Sequence, residues 1–366
     1  MPALPSYFDH FLKEIRPTLN QRDECKVGHE TLRDRLQSDE SLKDIMIDTF
    51  LQGSYRRATA IRSIGDSKSD VDVIAVTSLD KAKYTPKQAM ALFIPFLDKH
   101  YKGKWKAKGR SFGINLSHVK LDLVVTAALS QVQAESWREL AHVNESDILG
   151  ETTWKPAAKW FPKSRNNQHL TEKSDWKLEP LDIPDREANE WDKTHPLAQI
   201  AETWDKNRAT NKNYVNVVKA VKWWKVSQQS DMGYPKGYPI EHLLWVSCPN
   251  HIESVAQGIV LALEDMVALY QVEVDLKRVP FVPDHGVPEH NVLGRLSVEE
   301  FQEFHQRICV AADQARDAFD ETDVCESAEK WRLLLGPKFP QCPDNAKKGD
   351  YTPRKEVSII PGGRFA

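Results

Sequence analysis

Two kinds of hydrophobic periodicity divide the chain into two halves. In the first half, the apolar runs DIMIDTFLQGS, DVDVIAVTSL and VKLDLVVTAAL predict strands, and the helical spacing in SYFDHFLKEI and TPKQAMALFIPFLDKHY predicts helices. From residue 196 to about residue 335, apolar positions recur at helical spacing in segment after segment. The sequence therefore predicts an α+β half built on a small mixed sheet, followed by an α-helical half.

Stretches rich in proline and poor in periodicity mark the boundaries between these parts. Residues 150–190 are rich in Pro, Asn and Ser, which favours a long surface connection. Residues 339–366 contain four prolines and little periodicity. We expect residues 1–190 to form a first domain that includes the N-terminal helices and the connection. Residues 191–338 would form a helical domain, and residues 339–366 a flexible tail.

Composition and charge restrict the class of protein. The chain has 366 residues, of which 40% are hydrophobic, enough for a folded globular protein with two domains. A net charge of −3 does not support non-specific electrostatic binding along nucleic acid. Contact with a partner through a local basic groove is still compatible with this charge. We expect no stable DNA binding.

Cysteine usage and the N-terminus indicate the compartment. The five cysteines are odd in number and contain no C-x-x-C pair, so we expect reduced thiols, with neither a disulfide framework nor a zinc site. The N-terminus lacks the pattern of a signal peptide. No apolar run approaches the ~20 residues that span a bilayer. These features predict a cytoplasmic protein without membrane contact.

Three aspartates carry the candidate chemistry. Asp70 and Asp72 stand two residues apart in a predicted strand, so their side chains share a face, and Asp122 lies in another apolar strand. If the two strands are neighbours, the carboxylates converge and repel one another unless divalent cations neutralise them. We therefore predict a site for two Mg²⁺ ions, with Mn²⁺ as an alternative. A lone D-x-D more often caps turns or pairs with basic residues, but the third aspartate favours a metal site.

A Gly-Ser pair lies upstream of the aspartates. Gly53 lets the backbone approach a ligand closely, and Ser54 supplies a hydroxyl and an amide for a phosphate. Alone, the pair would indicate an ordinary turn. Together with the aspartates, it predicts phosphate binding beside a metal centre.

These motifs resemble those of a known family. The order GS, DVDV and LDLV is similar to that of the polymerase-β-type nucleotidyltransferases. More narrowly, the chain resembles the bacterial cGAS/DncV-like nucleotidyltransferases (CD-NTases), especially their clade D, which make cyclic oligonucleotide messengers in the anti-phage defence called CBASS. The similarity extends over residues 5–340 through FLQGSYRRATAIR, THPLAQI, AVKWWK, YPKGYPIEHL, DHGVPEHNVLGRL and SAEKWRLLLGPKFP. It implies a polymerase-β-like nucleotidyltransferase core, an α-helical C-terminal domain and a cleft between them.

The resemblance also implies roles for individual residues. The matching catalytic and metal-binding positions are Asp70, Asp72 and Asp122, and the matching nucleotide-binding positions are Gln52, Gly53, Ser54, Lys222 and Tyr238. His195, at the start of the second domain, is a further candidate for nucleotide binding if it faces the cleft. Lys222 would contact donor phosphates, and Tyr238 would stack on a base. The residues alone leave other roles open: a solvated helix edge for Lys222, a core position for Tyr238 and a helix start or hinge for His195.

The implied reaction is two-metal nucleotidyl transfer with release of pyrophosphate. The substrates would be ATP and other nucleoside triphosphates, and the product an adenine-rich cyclic trinucleotide. Alternatives are a cyclic dinucleotide synthase, a template-independent linear polymerase, a protein-adenylylating enzyme and a catalytically silent nucleotide sensor. The tail ending GGRFA resembles a substrate of a ubiquitin-like conjugating (E1/E2-type) partner, and an ordinary chain end is the alternative.

Overall fold

The computed structural model of the protein describes residues 4–65, 67–130, 133 and 179–343. Its first part contains α1 (Pro5–Ile15), α2 (Leu19–Ser38), β1 (Met46–Gln52), α3 (Gly53–Arg56), β2 (Ser69–Thr77), α4 (Pro86–Ala91), α5 (Ile94–Tyr101), β3 (Trp105–Ala107), β4 (Phe112–Asn115) and β5 (Val119–Ala128). A hairpin follows, formed by β6 (Leu181–Asp185) and β7 (Glu190–Thr194). The remaining elements are the helices α6 (Pro196–Ala209), α7 (Tyr214–Gln228), α8 (Gly237–Ser247), α9 (Val255–Asp275), α10 (Val298–Asp320) and α11 (Val324–Leu335). The predicted α+β fold class is confirmed.

The central sheet has five strands in the order β1-β2-β5-β4-β3. Strands β2 and β5 are parallel neighbours, and the other pairs are antiparallel, so the sheet is mixed as predicted. The short strand β3 was not predicted. The β6–β7 hairpin also corrects the sequence analysis, which assigned its first residues to a surface connection. Most of that connection lies outside the described residues.

The two faces of the sheet have different surroundings. One face packs against α2 and α5 through a buried cluster that includes Val71, Val73, Leu121 and Leu123. On the opposite face, a smaller cluster joins Ile74, Val76 and Val124 to Leu181 and Ile183 of β6. Side chains alternate along a strand, so the predicted metal-binding aspartates lie on this second face, before the apolar cluster begins.

The helical part has its own core, and α1 belongs to it. The apolar side of α1 is buried in this helical cluster rather than in the sheet domain. Phe8 meets Trp331 edge to face with 5.0 Å between ring centroids, and Phe11 packs on Phe339 at 5.5 Å. The first helix of the chain therefore packs against the last described helix, within the helical core.

Two details differ from the sequence expectations. Within the described residues, α9 is long and apolar enough to cross a membrane by length and composition, although the sequence analysis found no such segment. Half of its most apolar window is buried inside the structure, and core helices of globular proteins can meet the same two criteria. The chain also contains a disulfide, between Cys325 and Cys342, whose Cα atoms lie 5.1 Å apart.

The disulfide corrects the expectation of five reduced thiols. The two cysteines meet because the chain reverses direction after α11, which their spacing in the sequence does not reveal. The chain turns back after α11 at Gly336, which has a positive φ of 85°. Arg332 donates a hydrogen bond to the Pro337 carbonyl across this turn at 2.7 Å. The segment after the turn therefore returns along the helix and brings Cys342 to the first turn of α11, where Cys325 lies.

Candidate active site

The three predicted aspartates meet on one face of the sheet. Asp72 on β2 lies directly opposite Asp122 on the parallel strand β5, and Asp70 stands two residues before Asp72. One carboxylate oxygen from each residue lies within 4.8 Å of the others. Asp70 is exposed, and the other two are half-buried. Parallel pairing of the two strands is what brings the three together.

The electrostatics of this triad fit a divalent cation. Burial, together with the charges of Asp70 and Asp122, raises the pKa of Asp72 to about 7. Partial desolvation of its carboxyl group by the surrounding protein, together with the charge of Asp122, also raises the pKa of Asp70. Three hard oxygen donors that repel one another form the kind of ligand set that Mg²⁺ or Mn²⁺ binds. The triad can therefore hold a metal.

The Gly-Ser turn lies against the triad. Gly53 begins α3 directly after β1, with a positive φ of 71° that glycine adopts most easily. A Cβ at this position would lie 1.9 Å from Oδ2 of Asp72. Gln52, the last residue of β1, lies opposite Asp72 in the sheet register. Only a residue without a side chain fits between this turn and the carboxylate.

A cavity of about 230 Å³ opens beside the triad, between the sheet domain and the helical part. The two predicted nucleotide-binding residues that line it are Ser54 and Lys222, together with Asp70 of the triad. Residues 60–64 and 67–69 and Val226 of α7 complete much of its wall. The structure thus brings the predicted phosphate-binding turn, one predicted metal-binding carboxylate and the predicted phosphate-binding lysine to one cleft.

A buried ion network extends from Lys222, a residue of the cavity wall. The Lys222 ammonium lies 3.0 Å from Oε1 of Glu241 on α8 and 3.0 Å from the carbonyl oxygen of Thr59. Arg57, just after α3, donates to Oε2 of Glu241 at 3.1 Å. Burial would raise the pKa of Glu241, but the charges of Arg57 and Lys222 outweigh burial and lower it to about 2. Lys222 is therefore anchored in the protein, and it is not a solvated helix edge.

The structure places Tyr238 and His195 differently from each other. The Tyr238 hydroxyl donates to Asp284 at 2.6 Å, and the Arg57 guanidinium lies 5.1 Å from the centre of its ring. His195 is 2% exposed and starts α6, where its Nδ1 accepts a hydrogen bond from the Ala198 amide. His195 thus has the helix-start role that the residues alone favoured, and it lies outside the lining of the cavity.

Sequence reasoning missed two charged residues at this site. Lys108 reaches Asp122 with 2.6 Å and 2.7 Å between its ammonium and the two carboxylate oxygens. Its only sequence signal was the alternation of lysines in KGKWKAKGR. Glu241 interrupts the apolar run YPIEHLLW, and a lone acid in such a run is a signal for a buried ion pair.

Comparison with known proteins assigns the family. Residues 3–133 match the model of the Second Messenger Oligonucleotide or Dinucleotide Synthetase (SMODS) domain. The chain is 44% identical over 379 aligned residues to the Cyclic AMP-AMP-GMP synthase of Enterobacter hormaechei subsp. hoffmannii (strain UCI 50), covering 99% of this chain and 100% of that relative. The chain belongs to the cGAS/DncV-like nucleotidyltransferases of CBASS. It is thus a nucleotidyltransferase enzyme from a family of cyclic oligonucleotide synthases, as the sequence motifs predicted.

Two more distant proteins agree with this assignment. The CD-NTase is 28% identical over 340 residues to the Cyclic AMP-AMP-AMP synthase of Acinetobacter sp. (strain ATCC 27244 / 9458), covering 91% of this chain and 84% of that relative. It also resembles the solved structure of the Bradyrhizobium diazoefficiens CD-NTase CdnG in complex with GTP. The TM-score is 0.65 at 10% identity, with 91% of this chain and 95% of that chain covered. At that identity the likeness shows a common fold.

Proposed function

We propose that this CD-NTase makes a cyclic trinucleotide from ATP and GTP, with cyclic AMP-AMP-GMP as the product. The observation that carries the proposal is the meeting of three carboxylates with the Gly53–Ser54 turn at one end of the sheet. Nucleotidyl transfer needs both groups, one for metal ions and one for phosphate. The choice of ring rests on the relatives, since the two described above are named as synthases of three-nucleotide products.

Different residues of the cleft would bind the phosphates, the metal ions and the rest of the nucleotide. Ser54 and the backbone of the Gly53 turn would receive the donor phosphates, and Lys222 would add positive charge from the helical side. Asp70, Asp72 and Asp122 would hold two Mg²⁺ ions, which when bound neutralise phosphate charge and lower the pKa of a ribose hydroxyl. In each round, a ribose hydroxyl of the acceptor attacks the donor α-phosphorus, and pyrophosphate leaves. Gln52 and Tyr238 would help to position the nucleotide.

One incubation tests the proposal. The purified protein is mixed with Mg²⁺ and the four labelled nucleoside triphosphates, and the products are treated with phosphatase and analysed by mass spectrometry. We expect a phosphatase-resistant ring that contains two adenosines and one guanosine. A matched variant with Asp70→Asn and Asp72→Asn should fold normally and release no pyrophosphate.

Other results would select among the alternatives. A resistant ring of two nucleotides would indicate a cyclic dinucleotide synthase. Linear, phosphatase-sensitive products would favour a template-independent polymerase, and label on the protein would favour an adenylylating enzyme. Product formation that survives the double substitution would contradict the role of the triad.

The tail carries a separate part of the proposal. Residues 344–366, including GGRFA, lie outside the described residues, so support comes from sequence alone. The Gly-Gly pair before a short end fits recognition by a ubiquitin-like conjugating partner, and the enzyme would meet this partner and its nucleotide substrates in the cytoplasm. Deleting Phe365 and Ala366 should abolish a partner-dependent adduct; an unchanged adduct would contradict this role.

A further inference from the structure

A row of residues crosses the sheet through the triad. In register, Gln52 lies opposite Asp72, Asp72 opposite Asp122, Asp122 opposite Gly113 on β4, and Gly113 opposite Lys106 on β3. Directly opposed residues of neighbouring strands project from the same face. The row therefore places Lys106 on the face that carries the triad, at the sheet edge beyond Asp122.

More lysines share this face. Trp105 and Ala107 pack against the apolar cluster on the other face, so the residues that alternate with them, Lys104, Lys106 and Lys108, project to the triad side. All three are exposed. Lys120 on β5 is also exposed and lies opposite Asp70. We call Lys104, Lys106, Lys108 and Lys120 the basic strip.

One member of the strip is already joined to the triad. Lys108 crosses over Gly113 to reach Asp122, and a Cβ at Gly113 would lie 2.8 Å from its Cε. The absence of a side chain at Gly113 thus keeps the route from the strip to the triad open. Within the described residues, no carboxylate forms an ion pair with Lys104, Lys106 or Lys120. These three positive charges are available to an anion.

The position of the strip indicates which anion it binds. The Gly53–Ser54 turn is at the β1 side of the triad, and the strip is at the β3 side, with the aspartates between them. If the donor phosphates bind at the Gly-Ser turn, on the β1 side, the opposite side of the triad, towards β4 and β3, is open to the acceptor. The acceptor carries its own 5′-phosphates, and a groove of one charge sign concentrates ligands of the opposite sign.

We propose that the basic strip binds the 5′-triphosphate of the acceptor strand, in particular that of the linear dinucleotide formed in the first round of synthesis. This inference rests on the proposed function, because only an enzyme that extends a linear intermediate has such an acceptor. By holding the 5′ end on the strip, the enzyme keeps the intermediate bound while its terminal ribose hydroxyl stays at Asp122. The strip thus favours extension over release.

The test measures binding with a ligand that cannot react. The probes are two synthetic adenosine dinucleotides whose terminal ribose lacks both the 2′- and the 3′-hydroxyl. One carries a 5′-triphosphate and the other a free 5′-hydroxyl. Their affinities are measured for the wild type and for the variant Lys104→Gln, Lys106→Gln, Lys120→Gln. A matched control variant replaces Lys13, Lys87 and Lys277, exposed lysines outside the strip, by Gln.

We expect the strip variant to lose affinity only for the dinucleotide that carries a 5′-triphosphate. The strip variant should bind the triphosphate dinucleotide about tenfold or more weakly and with a smaller salt dependence, since fewer phosphate charges are neutralised. Its affinity for the 5′-hydroxyl dinucleotide should not change. Wild-type affinity of the strip variant for the triphosphate form would overturn the proposal, and so would an equal loss in the control variant. If the triple variant does not fold, the single substitution Lys106→Gln should show a smaller loss in the same direction.

A parallel product assay separates this proposal from the proposed function. If the wild type makes the cyclic product while the strip variant binds both probes normally, only the role of the strip fails. If the wild type makes no phosphatase-resistant product, the proposed function fails whatever the strip binds. If the strip binds the intermediate as proposed, the strip variant should also release more linear intermediate, relative to the amount of cyclic product, than the wild type does.

Discussion

Gly53 and Asp72 are so close that no side chain fits between them: a Cβ on Gly53 would lie 1.9 Å from Oδ2 of Asp72. This contact links the two motifs of the candidate active site, the Gly-Ser turn that we propose binds phosphate and the strand that we propose binds metal. The positive φ of Gly53 adds a second reason for glycine at this position.

The first prediction follows from this contact. Gly53→Ala should displace the Asp72 carboxylate and lower pyrophosphate release by about 100-fold or more, because a misplacement near 1 Å has effects of that size. Gly65→Ala is the matched control: Gly65 also has a positive φ, of 57°, but a Cβ there would meet nothing within 4 Å. Equal loss of activity in both variants would mean that backbone strain, and not the contact with Asp72, explains the effect.

The second prediction concerns the buried ion network. Glu241→Gln removes the single negative charge that Arg57 and Lys222 share, and leaves two cations buried together. We expect a loss of about 3–5 kcal/mol in the free energy of unfolding, the usual result of breaking a buried ion pair. The KM for ATP should also rise, since Lys222 would no longer be fixed at the cleft. Both quantities follow from denaturant titrations and steady-state kinetics.

Tyr214 provides the control for this variant. Its hydroxyl donates to the backbone carbonyl of Glu241 at 2.7 Å, so Tyr214→Phe disturbs the same segment without altering its charge. The expected cost is only about 1 kcal/mol, with KM unchanged. If Tyr214→Phe and Glu241→Gln raised KM equally, the charge of Glu241 would not be what positions Lys222.

The third prediction concerns metal binding without turnover. Mg²⁺ should raise the thermal unfolding midpoint of the wild type, because a ligand that binds only the folded state stabilises it, by about 2.7 kcal/mol at 100 times its Kd. Relief of repulsion among Asp70, Asp72 and Asp122 is the physical cause. The double variant Asp70→Asn, Asp72→Asn should show no such shift. A shift of the same size in that variant would place the ion elsewhere.

The fourth prediction is a loss of stability in acid. Burial lowers the pKa of His242 to about 4, and burial together with the charge of His242 lowers that of His285 to about 3. The charge of Asp284 opposes both decreases in pKa, and the charge of Arg57 lowers the pKa of His285 further. In the unfolded chain, histidines take up a proton near pH 6.5, whereas these two stay neutral in the folded protein to a lower pH. The stability that the two neutral histidines contribute is therefore fully present above pH 6.5 and declines as the pH falls towards 4.

A comparison of two histidine variants measures this effect. His242→Phe keeps an aromatic ring against His285 and Trp245 but does not titrate. Between pH 6.5 and pH 4.5, its free energy of unfolding should fall by about 2 kcal/mol less than that of the wild type. His118→Gln alters an exposed histidine and should follow the wild type. A wild-type pH profile for His242→Phe would contradict the prediction.

Local spacing was enough to predict much of the site. Two aspartates at i and i+2 of an apolar strand must share a face, and a Gly-Ser pair after a strand is suited to a phosphate. The register of β2 and β5 then confirmed that Asp122 joins them. The helical second half was also visible, because its apolar positions follow the 3.6-residue period closely.

Contacts between distant segments could not be predicted in this way. Glu241 forms an ion pair with Arg57, 184 residues away in the sequence. Lys108 reaches Asp122 only because β3, β4 and β5 pair side by side, and the spacing of residues along the chain does not predict that pairing. Cys342 meets Cys325 only because the chain turns back after α11. His195 lies in a stretch that resembles the family, yet its side chain caps a helix.

The sequence by itself determined which face of the sheet the candidate catalytic residues occupy, and the tertiary structure decided how charge is distributed around them. Periodicity and short motifs depend on neighbours a few residues apart, so they fix which face a side chain occupies. Whether a lysine is anchored, like Lys222, or has no carboxylate partner among the described residues, like Lys106, depends on which remote carboxylate folding brings within reach of its ammonium. That distance is a property of packed domains and sheet order, and no local pattern encodes it.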